Sequence, residues 1–383
     1  MIFLLAGVSV RALAQSAARA GYPIVAADYF GDSDLASVAP CRSLSRPLSG
    51  KGRERYSAWD LPGLAEGFVY DALAYVANLE NHPRVVADLA RGRPIAGNDP
   101  ETLIRARHWP TLRQVCAEEG LTMPPTLFPG EETQAGSRPR WLRKPVKSGG
   151  GHGIGFWDGK PLGRDWYLQA WTPGTTASAV VAANGRESVV LGVSEQIVGD
   201  RELGAHGFRH CGNIMPLAPE LGDGDALLAA VADMAARLTR RFGLRGVYGL
   251  DFIVAFDANG YPVPALLEIN PRPPASAELI EERGLGSVFD IHVKASSGFL
   301  PKPAEKSTDV GYTAKGIAFA SLPCQIPENG VWKTPELRDV GRPGDAIAAG
   351  CPICSIVTRG ATRKAALSSL YAAALGVRRD LAV

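Results

Sequence analysis

The chain has 383 residues, with 41 Lys and Arg against 39 Asp and Glu and a formal net charge of +2. That length exceeds one ordinary core and predicts two or three domains, and 46% hydrophobic with 21% charged residues is the balance of a soluble globular protein. A near-neutral chain with no basic run interleaved with aromatics predicts no nucleic-acid partner, and no stretch approaches the ~20 apolar residues of a membrane span.

The first residues, MIFLLAGVSVRALAQ, hold a short apolar run and Ala12-Leu13-Ala14, a superficial cleavage site. No positive charge precedes the run and Arg11 interrupts it, so the segment reads instead as part of the folded protein, unprocessed. The pattern is a strand (Ile2–Ala6), a turn (Gly7–Ser9), a helix (Ala12–Ala20) and a second strand ending at Asp28. Residues 1–98 continue this alternation and predict a small doubly wound α/β domain. Gly7, Ser9 and Arg11 then stand at the mouth of the first strand, where such folds open a ligand crevice. Arg11 there can clamp a substrate carboxylate bidentately, or be a surface arginine beside a tight turn. A strict G-x-G-x-x-G is absent, which disfavours a dinucleotide.

Residues 99–124 read as helical, residues 131–140 as an exposed loop, and WLRKPV as a strand. Four turn-separated strands follow, in IGFWDGKPL, WYLQAWTPG, ASAVVAANG and ESVVLGVSEQIV, then a helix over Asp225–Phe242 and a hairpin around Asn259-Gly260. The tail from Leu300 carries short strands and a final helix from about Thr362 to Leu375. Six scattered cysteines read as reduced thiols of a cytoplasmic enzyme.

Two segments carry chemistry. RKPVKSGGGHGIG (Arg143–Gly155) places Lys144 and Lys147 ahead of a glycine-rich loop. The order is wrong for a P-loop, whose glycines precede its lysine. A mobile flap between two strands remains: with no Cβ in the way, the backbone of Ser148, Gly149, Gly150, Gly151 and Gly153 can wrap phosphate oxygens. Pro145 biases Lys144 to extended geometry, from which its ammonium can reach a phosphate. The alternative is a flexible surface hairpin with solvated lysines.

In DFIVAFDANGYPVPALLEINPRP, a two-residue turn at Asn259-Gly260 makes Ala258 face Tyr261 and Asp251 face Glu268, Cβ atoms ~5 Å apart. Like charges so placed repel unless a cation lies between them. Asn270, on the same face, lies opposite Gly249, which leaves it room. Two carboxylates and an amide, without Cys or His, form a hard-oxygen site suited to Mg²⁺ with phosphates completing the shell. Arg272 follows on that face and can brace an anion beside the metal. Pro262 and Pro264 predict an edge strand. The alternative is a hairpin with ordinary surface charges.

Together the front βαβ unit, the glycine lid and the D…E-x-N-x-R hairpin resemble the ATP-grasp superfamily. The tail GDAIAAGCPICSIVTRGATRKAAL resembles the closing segment of carboligases related to biotin carboxylase. The resemblance implies a mixed α/β and α+β fold: an N-terminal Rossmann-like (pre-ATP-grasp) domain (residues 1–98) and a small ATP-grasp subdomain with the lid (99–175). A metal-binding subdomain (176–300) and a C-terminal β-rich segment with a closing helix (301–383) complete it. It implies ATP and Mg²⁺ as cofactors, and small-molecule carboxylate and amine substrates joined through an acyl phosphate. Carried over by position, Lys144 contacts the nucleotide phosphates, Asp251, Glu268 and Asn270 hold one or two Mg²⁺, and Arg272 steadies the acyl phosphate. Ser178 matches a position beside the substrate pocket, with a buried, satisfied hydroxyl as the alternative. Where many members carry a Gln-Glu pair at the adenine hinge, this chain has Gln169-Ala170-Trp171, so the adenine amino group meets backbone carbonyls there. The front segment further resembles ligases of one-carbon carrier cofactors, of the methanofuran or methanopterin type, which join an amino acid to an amine. Competing readings are ATP-dependent carboxylation with bicarbonate and a non-catalytic nucleotide-binding regulator.

Three further features read as structural. Cys351-Pro-Ile-Cys354 lacks the second pair that a zinc site needs. His206 and His210 can line an acceptor site, and Trp59 with the GKGRERYSAWD run can touch substrate, but solvated or core positions are the simpler reading for each.

Overall fold

Short apolar runs at the front of the chain become the strands of a five-stranded parallel sheet: β1 (Phe3–Gly7), β2 (Ile24–Asp28), β3 (Cys41–Ser43), β4 (Ala72–Tyr75) and β5 (Ile95–Ala96). The computed structural model describes residues 1–45, 55–131, 140–217, 224–302, 311–328 and 334–382. The strand order is β3-β2-β1-β4-β5, and every residue of β1 is buried, as befits a parallel strand covered on both faces. The helices of this unit are α1 (Arg11–Arg19), α2 (Ser33–Ala36), α3 (Leu61–Leu64) and α4 (Pro83–Ala90). One face packs Leu4, Ala6 and Leu73 on Val85, Val86 and Leu89 of α4. Strand β4, between the central β1 and the edge strand β5, is only four residues long, too short to announce itself as a periodic pattern.

A second unit follows, opened by α5 (Pro100–Ala106) and α6 (Trp109–Glu118). Its strands are β6 (Thr126–Leu127), β7 (Trp141–Pro145), β8 (Gly155–Phe156) and β9 (Trp166–Ala170). They form an antiparallel sheet of order β6-β9-β7-β8, and the glycine segment connects β7 to β8. Most of the expected loop at 131–140, and the first residues of the GKGRERYSAWD run, lie outside the described residues.

The third unit begins with β10 (Thr175–Asn184), β11 (Ser188–Val198), β12 (His210–Met215), β13 (Arg245–Phe256) and β14 (Pro262–Asn270). Helix α7 (Gly224–Phe242) lays Val231, Met234, Leu238 and Phe242 across Ala179, Val181, Tyr248 and Leu250. The next helices are α8 (Glu278–Glu282) and α9 (Val288–Ser296).

The strands of the tail are β15 (Tyr312–Phe319), β16 (Cys324–Gln325), β17 (Leu337–Arg338), β18 (Ala346–Ile347) and β19 (Pro352–Gly360). Three of them extend the sheet that carries the hairpin, giving eight strands in the order β14-β13-β10-β11-β12-β15-β19-β17, so the tail forms no separate main sheet. Helix α10 (Arg363–Asp380) covers them through Ala366, Leu370, Ala374 and Val377. Among the described residues no helix is long and apolar enough to cross a membrane, and none of the six cysteines is joined in a disulfide.

The parallel sheet is seated on the third unit through α9. Phe3, Tyr22 and Phe289 meet edge to face, with ring centroids 5.1–5.7 Å apart. Such pairs add about 0.5–1.5 kcal/mol each beyond their buried area. Beside them His292, 1% exposed, ties both units: its Nδ1 accepts from the Val247 amide at 2.8 Å, and its Nε2 lies 2.9 Å from the Ala96 carbonyl.

Candidate functional site

The hairpin β13–β14 sets the centre of the site, by a route that differs from the expected one. Asp257 pairs with Tyr261 through its amide, so the turn spans three residues, with Gly260 at φ +83°. This is the three-residue hairpin loop that places a glycine in the left-handed region. Phe256 faces Pro262 and Phe252 faces Leu266; then the register shifts at a bulge, and Asp251 faces Glu268 and Gly249 faces Asn270. The longer turn and the bulge each displace the count by one residue, in opposite senses. Asp251 and Glu268 therefore meet as the simpler count had it. β14 is an edge strand, as its prolines require. A Cβ on residue 249 would lie 3.1 Å from Pro274 and 3.4 Å from Asn270, so glycine there admits the amide.

The side chains form one connected array. Asn270 Nδ2 donates to Asp251 Oδ2 at 2.9 Å, and Arg272 Nη2 donates to Asn270 Oδ1 at 3.2 Å and to Glu80 Oε1 at 3.0 Å. Ser178 of β10 lies opposite Asp251, is 2% exposed and hydrogen-bonds that carboxylate, so it belongs to the carboxylate array. Burial and then Glu268 push Asp251 well above the ordinary carboxylate range. Burial pushes Glu268 up as well, but Arg107, Asp251 and Lys144 outweigh it and leave Glu268 below its usual value. Two half-buried carboxylates, facing each other so that the charged form of Asp251 is disfavoured, with an amide alongside, are a donor set that fits Mg²⁺. As placed, the amide turns its Nδ2 to Asp251 and its Oδ1 to Arg272, so Asn270 offers its oxygen to an ion between the carboxylates only with the amide reversed. The three candidate ligands include no His or Cys, and among the described residues no group of three or more His, Cys, Asp or Glu gathers to hold a metal ion, so the set depends on the Asn270 amide as its third member.

Opposite this array stands β7. Lys144 Nζ donates to Gln169 Oε1 at 2.6 Å, and Gln169, 1% exposed, donates onward to Thr126 at 3.3 Å. Burial brings the Lys144 ammonium down to about 8, against the pull of Glu268 and Asp251. Gln169 thus orients the lysine, while Trp171 is 42% exposed at the hinge, its amide donating to the Arg140 carbonyl at 2.8 Å.

The glycine segment reaches across to the strand-β12 side of the cleft. His210 N–H donates to the Gly150 carbonyl at 3.0 Å, and Asn81 Nδ2 to the Ser148 carbonyl at 3.4 Å. Gly150, Gly151 and Gly153 have φ of +62°, +77° and +76°. A Cβ on residue 151 would overlap the Phe208 carbonyl. Lys147 is exposed, and its charge, after burial, lowers His82.

Arg11 corrects an expectation. It is fully buried, and its guanidinium donates to Asp339 from Nε and Nη2 at 2.9 Å, to both oxygens of Glu278, and to Gln15. It does clamp carboxylates bidentately, but they are the protein's own. With its donors so committed, Arg11 braces the first helix to α8 and the tail rather than facing substrate.

Three residues without a motif complete the cluster. Arg107, just beyond α5, donates to Glu268 Oε2 at 3.1 Å, to the Ile269 carbonyl at 3.0 Å and to Asn81 at 3.2 Å. Glu80 pairs with Arg272; its only sequence signal is the polar run Asn78-Leu79-Glu80-Asn81 directly after an apolar strand. Lys315 of β15, 7% exposed, binds Glu278 at 2.6 Å and the Ala275 carbonyl at 3.3 Å. His210, whose ring contacts Asn213 at 2.9 Å, is lowered by burial and feels Lys315, Arg272 and Glu268, which places it inside the cluster. His206 is exposed, Trp59 is 60% exposed at the rim against His82, Cys351 is exposed and Cys354 is buried in β19.

Residues 109–276 match the family described as ATP-grasp domain. The curated proteins give no match. Biotin carboxylase from Campylobacter jejuni, in complex with β-γ-ATP, is similar at TM-score 0.68 and 16% identity, over 96% of this chain and 89% of that one. The biotin carboxylase domain of Hydrogenobacter thermophilus 2-oxoglutarate carboxylase, with MgADP and bicarbonate, gives 0.71 and 14%, over 96% and 88%. N5-carboxyaminoimidazole ribonucleotide synthetase from Thermus thermophilus gives 0.67 and 19%, over 98% of both chains. At these identities the likeness is one of fold.

Proposed function

Because the chain carries an ATP-grasp domain, we propose that it is an ATP-dependent ligase that activates a carboxylate as an acyl phosphate and joins it to an amine, releasing ADP and phosphate. The observation that carries this reading is the alignment of Asp251, Glu268 and Asn270 with Arg272 on one face of the hairpin, opposite Lys144 and beneath the glycine lid.

Asp251, Glu268 and Asn270 hold Mg²⁺, and the ion when bound neutralises charge on the transferring phosphates. Arg107 keeps Glu268 ionised and aimed at that position. Lys144 places a positive charge at the phosphates, and its confinement by Gln169 reduces the reorganisation needed when nucleotide enters. The backbone of Ser148–Gly153 wraps the phosphates and excludes water as the lid meets the Phe208–His210 segment. Gln169, Ala170 and Trp171 form the hinge against the base.

An oxygen of the acid attacks the γ-phosphorus and the bond to ADP breaks. The amine nitrogen then attacks the acyl carbon, and the carbon–oxygen bond to phosphate breaks. Arg272, whose buried Nε has no hydrogen-bond partner among the described residues, offers a directed donor to the acyl phosphate and the oxyanion that follows it. Lys315 adds positive charge that reaches His210 beside this place, while burial holds the His210 ring toward its neutral form.

For the acid we propose an amino-acid-sized carboxylate. The narrower assignment, to ligases of methanofuran- or methanopterin-type carriers, rests on the likeness of the front segment, since Arg11 gives it no physical support. The second reading takes bicarbonate as the acid; it is favoured by the Hydrogenobacter domain, which is described with MgADP and bicarbonate. ADP release from purified protein, screened over carboxylates (bicarbonate included) paired with amines, tests both. Release that needs an organic acid and an amine supports the ligase, with ¹⁸O passing from labelled acid into phosphate. Turnover with bicarbonate alone supports the second reading, and no acid-dependent release with any pair refutes both.

A further inference from the structure

The parallel sheet changes winding direction between β1 and β4, its order being β3-β2-β1-β4-β5. At such a switch the loops beyond the carboxyl ends of the two strands part in opposite directions and leave a crevice that takes ligand. The two loops are tied at their base, where the Val8 amide donates to the Ala77 carbonyl at 2.6 Å. On the β4 side, the segment continues through Asn78 and Glu80.

Glu80 is 2% exposed. Its Oε1 accepts from Arg272, while its Oε2 has no hydrogen-bond partner among the described residues. Asn78 Oδ1, two residues away, and the buried Tyr56 hydroxyl likewise have none among the described residues. Tyr56 lies within the field of Glu80, which adds to burial in raising the phenol. A buried acceptor left without a donor is costly, and folded proteins rarely carry several together. What is missing is a group that brings N–H donors and, facing a carboxylate, a positive charge.

Arg272 links Glu80 to the metal array: its Nη2 donates to both Glu80 and Asn270, and its Nε has no hydrogen-bond partner among the described residues. Along the contacts Glu80–Arg272–Asn270 the guanidinium therefore stands between a set of polar oxygens and the place where the acyl phosphate forms. That is the order in which a nucleophilic amine and an activated acid need to stand. We infer that Glu80, Asn78 and Tyr56 form the subsite that binds the ammonium group of the amine substrate. This inference rests on the ligase reading and names where its second substrate sits.

The test separates the two substrates. With an acid that supports ADP release, hydroxylamine, uncharged at neutral pH, traps the acyl phosphate as a hydroxamate without needing an ammonium site. Ethylamine, glycine and putrescine serve as amine probes. In Glu80→Gln the ratio of amine-dependent kcat/KM to hydroxamate formation should fall about ten- to hundredfold, the range for a lost charge-assisted hydrogen bond, with KM for the probe carrying the change. Tyr56→Phe, which alters no packing volume, should lower the same ratio by about three- to tenfold. Equal losses in both assays would make Glu80 a positioning residue for Arg272 alone, and an unchanged amine KM in both variants would also overturn the subsite. Absence of hydroxamate from the wild-type protein with every acid would instead refute the ligase reading, and the subsite with it.

Discussion

His292 offers a quantitative test of how the parallel sheet is held to the third unit. Its Nδ1 accepts from the Val247 amide and its Nε2 faces the Ala96 carbonyl, so the ring fits as the neutral tautomer protonated on Nε2. Protonating Nδ1 would set N–H against N–H in a space closed on one side by Gly246, where a Cβ would lie 2.6 Å from that nitrogen. Burial brings the ring down to about 4 from an ordinary value of 6.5. Between those values the unfolded chain binds the proton and the folded one does not, so stability rises with pH through this window and is lost as pH falls. The full span of about 2.5 units corresponds to roughly 3 kcal/mol, of which about 2 kcal/mol is lost between pH 7 and pH 5. Urea unfolding followed by tryptophan fluorescence at the two pH values measures the loss. His292→Gln, which can keep one acceptor and one donor, should show a smaller decline by about 2 kcal/mol, whatever its absolute stability. An NMR titration of ring-labelled histidine should find one ring that remains neutral at pH 5.5. A decline of equal size in both proteins, or a His292 signal that titrates near 6.5, would refute the reasoning.

Three other substitutions probe the site and its brace. Glu268→Gln removes one charge of the metal pair and the partner of Arg107, and should lower Mg²⁺-dependent turnover at least about a hundredfold in a protein that remains folded by circular dichroism; undiminished turnover would remove Glu268 from the metal site. Gly151→Ala puts a methyl group against the Phe208 carbonyl at φ +77°, so the lid should dock poorly and KM for ATP should rise about tenfold. Limited proteolysis between Ser148 and Gly155 should then lose the protection that Mg-ATP gives the wild type, and an unchanged KM would mean that the lid does not close as described. Arg11→Met deprives Asp339 of its arginine and leaves Glu278 with Lys315 alone at hydrogen-bond distance, and should cost about 3–5 kcal/mol in chemical denaturation. If the variant instead kept full stability and lost only affinity for the acid, Arg11 would face substrate after all.

What was legible in the sequence follows the range of the physics involved. The opposition of Asp251 and Glu268 depends on a strand period of two over fewer than twenty residues, and local counting reaches it. That count succeeded although the turn holds three residues rather than two, because the bulge beside Asp251 restores the phase. Gly7, Ser9 and Arg11 were placed at the right mouth of the right sheet, but the arginine was given the wrong partner. A buried arginine looks the same in sequence whether a substrate or Asp339 satisfies it, and Asp339 is 328 positions away. Arg107, Glu80 and Lys315 sit in no spaced motif; each reaches the site through tertiary contact with residues far along the chain. The strand β4, whose end delivers Glu80, is four residues of small and apolar side chains and gave no periodic signal.

The contact between Arg11 and Asp339 also has a consequence in time. A chain made from its amino end exposes the first helix long before residue 339 leaves the ribosome. Until then the guanidinium has neither Asp339 nor Glu278 to balance it, and the seat against α9 is missing as well. The parallel sheet can gather early, but its inner face and its buried charge must wait in water until residue 339 has been made. The arrival of that segment is then a closing step: it neutralises an early arginine and fixes the walls of the cleft in the same event.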